Sequence, residues 1–229
     1  MYMNIALIGY GKMGHAVEAE AAGRGHRVVC TVDNEMEWTS KAEALRTADV
    51  AIEFSTPATA VANIRRCFDR GLPVVSGTTG WNDRLEEVRS ECLQRGQTLF
   101  TASNFSIGMN IMFALNERLA ELMASYPQYR IGITETHHIH KLDAPSGTAI
   151  TLREQIVDRL GRNEEIPIES IREGEVPGTH TVVYDSEIDT LTLTHEAHSR
   201  KGLAVGALVA AEFVVGKRGC FTMKDLLND

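Results

Sequence analysis

The stretch Asn4-Ile5-Ala6-Leu7-Ile8-Gly9-Tyr10-Gly11-Lys12-Met13-Gly14 decides the fold. It begins with a short apolar run, typical of a buried parallel strand, and leads into an Ala-rich helix predicted over 13–22. Its second half matches G-x-G-x-x-G in the strand–turn–helix context that gives this pattern its mechanism. Gly9 allows a tight turn, Gly11 lets the backbone approach a pyrophosphate, and Gly14 lets the helix pack closely on the strand. The stretch therefore predicts a dinucleotide-binding βαβ unit.

The alternation of strands and helices continues to about residue 105. Further strands are predicted over 27–32, 50–54, 73–76 and 98–101, and further helices over 58–70 and around 85–92. Strands that alternate with helices of this length indicate βαβ units and a parallel sheet.

The pattern changes after residue 105. Helices are predicted over 108–123 and 148–160, and strands over 129–135, 167–172, 179–185 and 188–195. Residues 190–194 alternate polar and apolar side chains, which suits a sheet with one wet face. Residues 203–215 are apolar on nearly all sides and are expected to pack back on the first domain. We therefore expect an α/β protein, with a Rossmann dinucleotide-binding domain (1–105 and 200–229) and an α+β domain with a mixed sheet (106–199).

Composition narrows the classes of partner. The chain has 229 residues and a net charge of −8, which argues against nucleic acid and anionic membrane surfaces as partners. No apolar run approaches the ~20 residues of a membrane span. The four cysteines are scattered without a C-x-x-C motif, so we expect reduced thiols in a cytoplasmic protein.

The cofactor preference follows from the end of the second predicted strand. Asp33 lies 19 residues beyond Gly14, where an acidic residue accepts hydrogen bonds from an adenosine ribose. A carboxylate there repels a 2′-phosphate, and the next residue is Asn34 rather than Arg. NADH is therefore preferred over NADPH, which remains the alternative.

Two further loops follow the fourth and fifth predicted strands, where open α/β sheets bind ligands. They are Gly77-Thr78-Thr79-Gly80 and Ala102-Ser103-Asn104-Phe105. Their small residues and hydroxyls let backbone groups reach the nicotinamide ribose or carboxamide.

The densest chemistry lies in the run from Glu135 to Ala149, where His137, His138 and His140 precede Lys141. A zinc site from the three histidines is disfavoured, because successive strand side chains point to opposite faces and Lys141 adds positive charge. We expect no metal. His137 and Lys141 are instead candidates for proton transfer.

The end of the same run predicts a carboxylate site. Ser146 is a candidate N-cap, and the N–H groups of Gly147 and Thr148 would then lie at the positive end of a helix. Together with the preceding lysine and histidines, they predict a positive pocket for an anion within an acidic chain.

The chain resembles the 4-hydroxy-tetrahydrodipicolinate (dihydrodipicolinate) reductase family along nearly its whole length. The most specific match is E-x-H-H-x-x-K-x-D-A-P-S-G-T-A at 135–149. The other matching pieces are the glycine pattern, Gly-Thr-Thr-Gly, Ser-Asn-Phe-Ser at 103–106, Arg172-x-Gly174, Pro177-Gly178-x-His180 and His195-x-Ala197-x-Ser199-Arg200.

The resemblance implies NAD(P)H-dependent reduction of a cyclic dicarboxylate, 4-hydroxy-tetrahydrodipicolinate, to tetrahydrodipicolinate with loss of water, in diaminopimelate and lysine biosynthesis. It also implies a substrate-binding middle domain that builds a homotetramer through its sheet. By position, His137 is the proton donor and acceptor, Lys141 is the proton donor, and His138, Gly147 and Thr148 bind substrate. The implied cofactor-binding residues are Gly9, Tyr10, Gly11, Lys12, Met13, Gly14, Asp33, Gly77, Thr78, Thr79, Ala102, Ser103, Asn104 and Phe105.

Two features depart from the family pattern. Glu53 stands where Asp is common, which we expect to have little effect, and residues 35–48 leave room only for a short helix or loop. Other readings are a different two-domain Rossmann oxidoreductase, which has no reason to carry the 135–149 run, and a nucleotide-sensing regulator without proton donors. A paralogue that has lost catalysis is a third reading, against which the intact His137 and Lys141 speak.

Overall fold

In the computed structural model, residues 2–161 and 165–229 are described. The chain divides into two compact units, one formed by Met1–Ile107 with Lys201–Asp229 and the other by Gly108–Arg200. None of the helices in the described ranges is both long and apolar enough to cross a membrane.

The first half of the chain alternates strands with helices, as expected. Its elements are β1 (Asn4–Ile8), α1 (Lys12–Ala21), β2 (Arg27–Val32), α2 (Glu37–Ser40), α3 (Ala42–Arg46), β3 (Val50–Glu53), α4 (Pro57–Asp69), β4 (Val74–Ser76), α5 (Leu85–Gln94) and β5 (Thr98–Thr101). The short segment after β2 holds two helices of four and five residues. Pro at the start of α4 and a Thr56–Thr59 capping box explain why that helix begins where it does.

The second unit contains a mixed sheet with helices. Its elements are α6 (Ile107–Met123), β6 (Arg130–His137), α7 (Gly147–Leu160), β7 (Ile168–Arg172), β8 (Thr179–Asp185) and β9 (Thr190–Glu196). The strand order is β7-β6-β8-β9, with β7 parallel to β6 and the other neighbours antiparallel. Met109, Met112, Leu152 and Ile156 of the two helices form a buried core with one face of this sheet.

The opposite face of this sheet is rich in threonine and is open in the single chain. On β9, Thr190, Thr192 and Thr194 are exposed, whereas Leu193 packs against the core. This agrees with the wet face that the alternation of residues 190–194 predicts.

The last elements return to the first unit. They are α8 (Lys201–Val214), β10 (Gly219–Phe221) and α9 (Met223–Leu227). β10 completes a six-stranded parallel sheet in the order β10-β5-β4-β3-β1-β2. The apolar helix α8 lies against α1, β3, β4 and β5, which explains its nearly all-round hydrophobicity. The expected α/β class, with a Rossmann-type parallel sheet and a second mixed sheet, is confirmed.

The structure differs from the sequence predictions in a few short elements and in several boundaries that move by one or two residues. β10 and α9 were not predicted, because they are short and lie outside the strand–helix alternation that ends near residue 105; β4 is as short as β10 but lies within that alternation. β6 continues to His137 rather than ending at residue 135, because Thr136 still pairs with Thr179 and His137 with Arg172. The 135–149 run therefore comprises a strand end, a loop and a helix start.

Candidate active site

The glycine turn between β1 and α1 is crowded on one side and open on the other. Gly9 has φ +87°, and a Cβ there would lie 2.1 Å from the Phe54 carbonyl oxygen. A Cβ on Gly14 would lie 2.7 Å from the Gly9 carbonyl oxygen. Around Gly11, which caps α1, an added Cβ would meet nothing within 4 Å. The turn therefore needs its first and third glycines for packing, and leaves the helix N-terminus open to a ligand.

A cleft of about 310 Å³ runs from this turn past the ends of β2 and β3. Asp33 lines it with an exposed carboxylate, whose Oδ1 accepts a hydrogen bond of 2.8 Å from the Tyr10 N–H. Glu35, Trp38 and Arg66 line the far end of the cleft. The cleft thus connects the glycine turn, which can bind phosphate, with the carboxylate of Asp33. This combination suits the adenosine half of a dinucleotide.

The side chains within the turn have different surroundings. The Tyr10 hydroxyl donates a hydrogen bond to Glu18, and the ring centroids of Tyr10 and His15 are 4.0 Å apart. The side chain is thus held by these two residues, and Tyr10 contributes to the turn mainly through its backbone. Lys12 is exposed, and half-buried Met13 packs against the core.

The loop after β4 is built around a fully buried carboxylate, Glu53. Ser76 Oγ donates to Glu53 Oε2 at 2.6 Å, and Thr78 Oγ1 donates to Glu53 Oε1 at 2.9 Å. Thr78 Oγ1 also accepts a 2.8 Å hydrogen bond from the Ser55 N–H. A Cβ on Gly77 would lie 2.1 Å from the Phe54 ring. Glu53 therefore ties together the loops after β3 and β4, a role that the sequence did not indicate.

The residues Ala102–Phe105 follow β5 and sit beneath α8. Phe105 is buried, Ser103 is exposed, and Asn104 Oδ1 accepts a 2.9 Å hydrogen bond from the Ser106 N–H. A Cβ on Gly206 of α8 would lie 1.7 Å from the Phe105 carbonyl oxygen. This close approach fixes the backbone of the loop.

A second cluster of functional side chains lies at the end of β6 in the other unit. Glu135 and His137 share one face of the strand, and both are buried. His137 Nδ1 lies 2.9 Å from Glu135 Oε2, although the angle at the ring nitrogen is too unfavourable for a hydrogen bond. Buried His180 on β8 packs edge-on against His137, with ring centroids 5.0 Å apart.

The environment keeps these imidazoles neutral and the carboxyl ionised. Burial, with help from Lys141 and Arg172, lowers the pKa of His137 against the opposing pull of Glu135. Burial lowers the pKa of His180 to about 4. Burial by itself raises the pKa of Glu135, but hydrogen bonds from Ser146, Ser170 and Arg172 outweigh it and lower that pKa to about 2.

The loop between β6 and α7 carries Lys141. Its Nζ donates to both carboxylate oxygens of Asp143, at 2.8 and 2.9 Å. The hydrogen bond from Lys141 lowers the pKa of Asp143. The Lys141 ammonium group can leave Asp143 when another anion takes the place of the Asp143 carboxylate.

The start of α7 has the predicted cap. Ser146 Oγ accepts a 3.2 Å hydrogen bond from the Ala149 N–H, which confirms Ser146 as the N-cap. The Ser146 N–H donates to Glu135 Oε1 at 3.1 Å. Gly147 is exposed and Thr148 half-buried, so both are available at the positive end of the helix.

The three neighbouring histidines do not converge on one point. His138 Nε2 lies 3.4 Å from Arg200 Nη2, and His140 Nε2 lies 3.2 Å from Glu175 Oε1. Among the described residues, a different set, Glu135, His137 and His180, has ligand atoms within 4.8 Å of one another. The Arg172 guanidinium already donates a hydrogen bond to Glu135. It therefore supplies the positive charge that a metal ion would otherwise supply. The absence of a metal stays a prediction.

Comparison with known proteins identifies the family. The family models described as dihydrodipicolinate reductase, N-terminus and C-terminus, match residues 3–105 and 108–227. A 4-hydroxy-tetrahydrodipicolinate reductase from Christiangramia forsetii is 46% identical over 99% of this chain and 98% of its own length. The chain belongs to the dihydrodipicolinate reductase family. Another reductase of this name, from Acinetobacter baumannii, is 36% identical over 82% of this chain and 75% of its own length.

A solved structure shares the fold of this dihydrodipicolinate reductase family member. It is a dipicolinate-bound dihydrodipicolinate reductase from Paenisporosarcina sp. TG-14, with TM-score 0.80 and 21% identity. The match covers 97% of this chain and 98% of that one.

Sequence reasoning assigned no role to three residues that surround His137 in this reductase family member. Glu135 entered only as the first position of the 135–149 motif, and Arg172 and His180 only as positions in shorter motifs shared with the family. Their roles depend on the pairing of β6 with β7 and β8, which places Arg172 beside His137 and His180 beside Glu135. Gly178 belongs with them, because a Cβ there would lie 3.0 Å from His137 Nε2.

Proposed function

We propose that this chain is a 4-hydroxy-tetrahydrodipicolinate reductase of the diaminopimelate and lysine pathway. It reduces the cyclic dicarboxylate to tetrahydrodipicolinate with NAD(P)H and a proton, and releases water. The observation that carries the proposal is the family motif of residues 135–149. In the fold it places a buried neutral imidazole, a lysine and an open helix N-terminus in one unit.

The chain's own residues serve proton transfer and binding. When bound, the reduced nicotinamide supplies the hydride to the ring. His137 is the proton donor and acceptor: in its neutral state at neutral pH Nε2 accepts a proton, which the resulting imidazolium can then donate. Lys141 is the proton donor to the reduced ring system. A positioned acid of this kind stabilises the negative charge that develops on an imine- or enamine-type nitrogen or carbon.

One substrate carboxylate is proposed to bind at the N-terminus of α7. Gly147 and Thr148 supply N–H groups there, and His138 supplies a side-chain contact. The helix dipole favours an anion at this end. A second carboxylate of the ring has Lys141 as a partner, in exchange for Asp143.

The cofactor is proposed to bind in the cleft of the first unit. The turn Gly9–Gly14 fits a pyrophosphate because Gly11 is open, and Asp33 fits the adenosine ribose. The loops Gly77–Thr79 and Ala102–Phe105 serve the nicotinamide half.

NADH is the proposed preferred form. Asp33 and Glu35 give the adenosine end of the cleft an acidic character that repels a 2′-phosphate. Arg66, the one arginine among the described residues that line this cleft, is ion-paired with Glu35 and lies 5.5 Å over the Trp38 ring. Its charge is therefore already partly neutralised.

We also propose a homotetramer and a cytoplasmic location. The threonine-rich face of the mixed sheet offers an extended surface for association through β8 and β9. All four cysteines, each within the described ranges, are free thiols, which fits a reducing compartment.

The decisive experiment is an assay of nicotinamide oxidation. The substrate is generated in place from pyruvate and aspartate semialdehyde by a coupling synthase, and NADH and NADPH are compared. We expect substrate-dependent oxidation with a higher kcat/KM for NADH. No oxidation with either nicotinamide would remove the proposed function, whereas a clear NADPH preference would overturn only the role given to Asp33 and Glu35.

A further inference from the structure

We propose that Glu135 and Arg172 are positioning residues that hold the two proton-transfer groups, His137 and Lys141, in one arrangement. The proposal rests on the proposed function, because it deepens the account of the same site. Neither residue takes part in the proton transfers proposed for His137 and Lys141.

Glu135 is the centre of the network. Its carboxylate is fully buried, and its Oε1 accepts hydrogen bonds from the Ser146 N–H at 3.1 Å and Arg172 Nη2 at 3.0 Å. Its Oε2 faces His137 Nδ1 at 2.9 Å and His180 Nε2 at 3.9 Å. A negative charge beside Nδ1 favours the tautomer that carries the hydrogen on Nδ1. This tautomer leaves Nε2 as the atom that exchanges a proton with a ligand.

Arg172 extends the network to the lysine loop. Its Nη2 donates to the Asp143 carbonyl oxygen at 2.6 Å, and its Nε donates to the Lys141 carbonyl oxygen at 3.3 Å. One guanidinium therefore joins Glu135 to the backbone on both sides of Leu142. This geometry fixes where the lysine side chain leaves the loop, even when its ammonium exchanges Asp143 for another anion.

Packing alone does not explain why charged residues form this network. A buried ion pair contributes little net stability compared with well-packed apolar residues of the same volume. Here the pair connects the end of β6, the cap of α7 and the loop that carries Lys141. A displacement of about 1 Å in a reacting group can cost about 100-fold in rate, so fixed positions at this point matter for turnover.

The two positioning residues act on His137 with opposite charges. The groups that face His137 are Glu135 on its own strand, His180 on β8, Arg172 on β7, and Lys141 and Asp143 on the loop. His195 on β9 faces His180. Glu135 raises the pKa of His137 and Arg172 lowers it.

The test combines steady-state kinetics with a histidine titration in the full-length protein. The variants are Glu135→Gln, Arg172→Gln and Arg172→Lys. The ring signal of His137 is followed by NMR against pH and assigned with His137→Asn. We expect the His137 pKa to fall in Glu135→Gln, to rise in Arg172→Gln and to stay near the parent value in Arg172→Lys.

The kinetic expectation separates position from charge. Arg172→Lys keeps the charge but cannot reach three acceptors at once, so kcat should fall about 10- to 100-fold. The Kd for NADH should stay within about twofold in all three variants, because the nucleotide cleft lies in the other unit.

The chain offers a matched control in Glu212. That carboxylate contacts His26 Nε2 at 2.8 Å and pairs with Arg24 at 2.7 Å, which repeats the same residue types away from the cluster. Glu212→Gln should leave both kcat and the His137 titration unchanged.

The proposal is overturned if Arg172→Lys keeps the parent kcat, or if the His137 titration does not shift in opposite directions in the two glutamine variants. Should Glu135→Gln fail to fold, the two Arg172 variants decide. If the parent protein shows no reductase activity, the proposed function fails, while the opposite pKa shifts still test the geometry.

Discussion

At the residue scale, the proposed catalysis depends on two side chains four residues apart, His137 at the end of β6 and Lys141 on the loop that follows. We expect His137→Asn and Lys141→Ala each to lower kcat by about 10²- to 10⁴-fold, the usual value of a positioned acid or base. NADH affinity should stay nearly unchanged, as measured by fluorescence titration. His140→Ala is the control, because that imidazole is exposed, pairs with Glu175 and has no proposed role in the reaction. Near-parent turnover in either site variant would contradict the assigned roles.

A second residue-scale prediction concerns stability against pH. Burial lowers the pKa of His180 to about 4, whereas an unfolded chain has the ordinary value of about 6.5. The unfolded state therefore binds more protons between these values, and stability is lost as the pH falls from about 6.5 towards 4. The full loss from His180, which is 5% exposed, amounts to about 3 kcal/mol.

The measurement is the free energy of unfolding in urea at several pH values. His180→Gln should flatten the decline over this range, while the exposed His140→Gln should not. Glu135, with its pKa lowered to about 2, adds its own loss only below about pH 4.5. An unchanged slope in His180→Gln would contradict the assigned burial effect.

The sequence reveals the residues of this site only where they are close along the chain. His137, Lys141 and the Ser146 cap lie within ten residues and match a local pattern. Arg172 and His180 reach the same cluster through strand pairing, and register cannot be determined from periodicity alone. For that reason the places of Arg172 and His180 around the His137 imidazole can be recognised only in the folded structure.

At the element scale, the contact of α8 with the loop after β5 gives a paired test. A Cβ on Gly206 would lie 1.7 Å from the Phe105 carbonyl oxygen, so Gly206→Ala should destabilise the protein by about 1–3 kcal/mol or more. It should also weaken NADH binding, because Phe105 belongs to a proposed cofactor loop. Thermal unfolding and fluorescence titration measure the two effects.

Gly202, one turn earlier on α8, is the matched control. A Cβ there would lie 4.0 Å from Ser106 Oγ, which is ordinary contact. Gly202→Ala should be neutral or stabilising by up to about 1 kcal/mol, since alanine is the better helix former. Equal effects at the two positions would show that α8 does not approach the loop so closely.

The elements were predictable where they belong to a regular alternation along the chain. The parallel βαβ alternation up to residue 105 follows directly from apolar runs and glycine turns, as for Ile5–Gly9. β10 has three residues, and it joins the sheet only because α8 carries the chain back to β5. Nothing local in residues 219–221 encodes that pairing.

At the scale of the whole molecule, the threonine-rich sheet face predicts self-association. Sedimentation of the purified protein should give a species of about four times the 25.2 kDa chain mass. Val183 on β8 lies on that face, since it alternates with the core residues Val182 and Tyr184. Val183→Glu therefore places a charge there in every copy and should shift the protein towards smaller species. Leu93→Glu, at a residue 62% exposed on α5, is the control and should not. A monomer in the parent protein would remove the proposed tetramer.

Glu53 also bears on how the sequence can vary. Its carboxylate reaches Ser76 and Thr78 together, and an aspartate side chain is one methylene shorter. The shorter side chain cannot accept hydrogen bonds from both hydroxyls. A chain with aspartate at position 53 therefore requires a different residue or backbone path at 76 or 78. We therefore expect positions 53, 76 and 78 to covary among relatives, as one inherited unit rather than three independent sites.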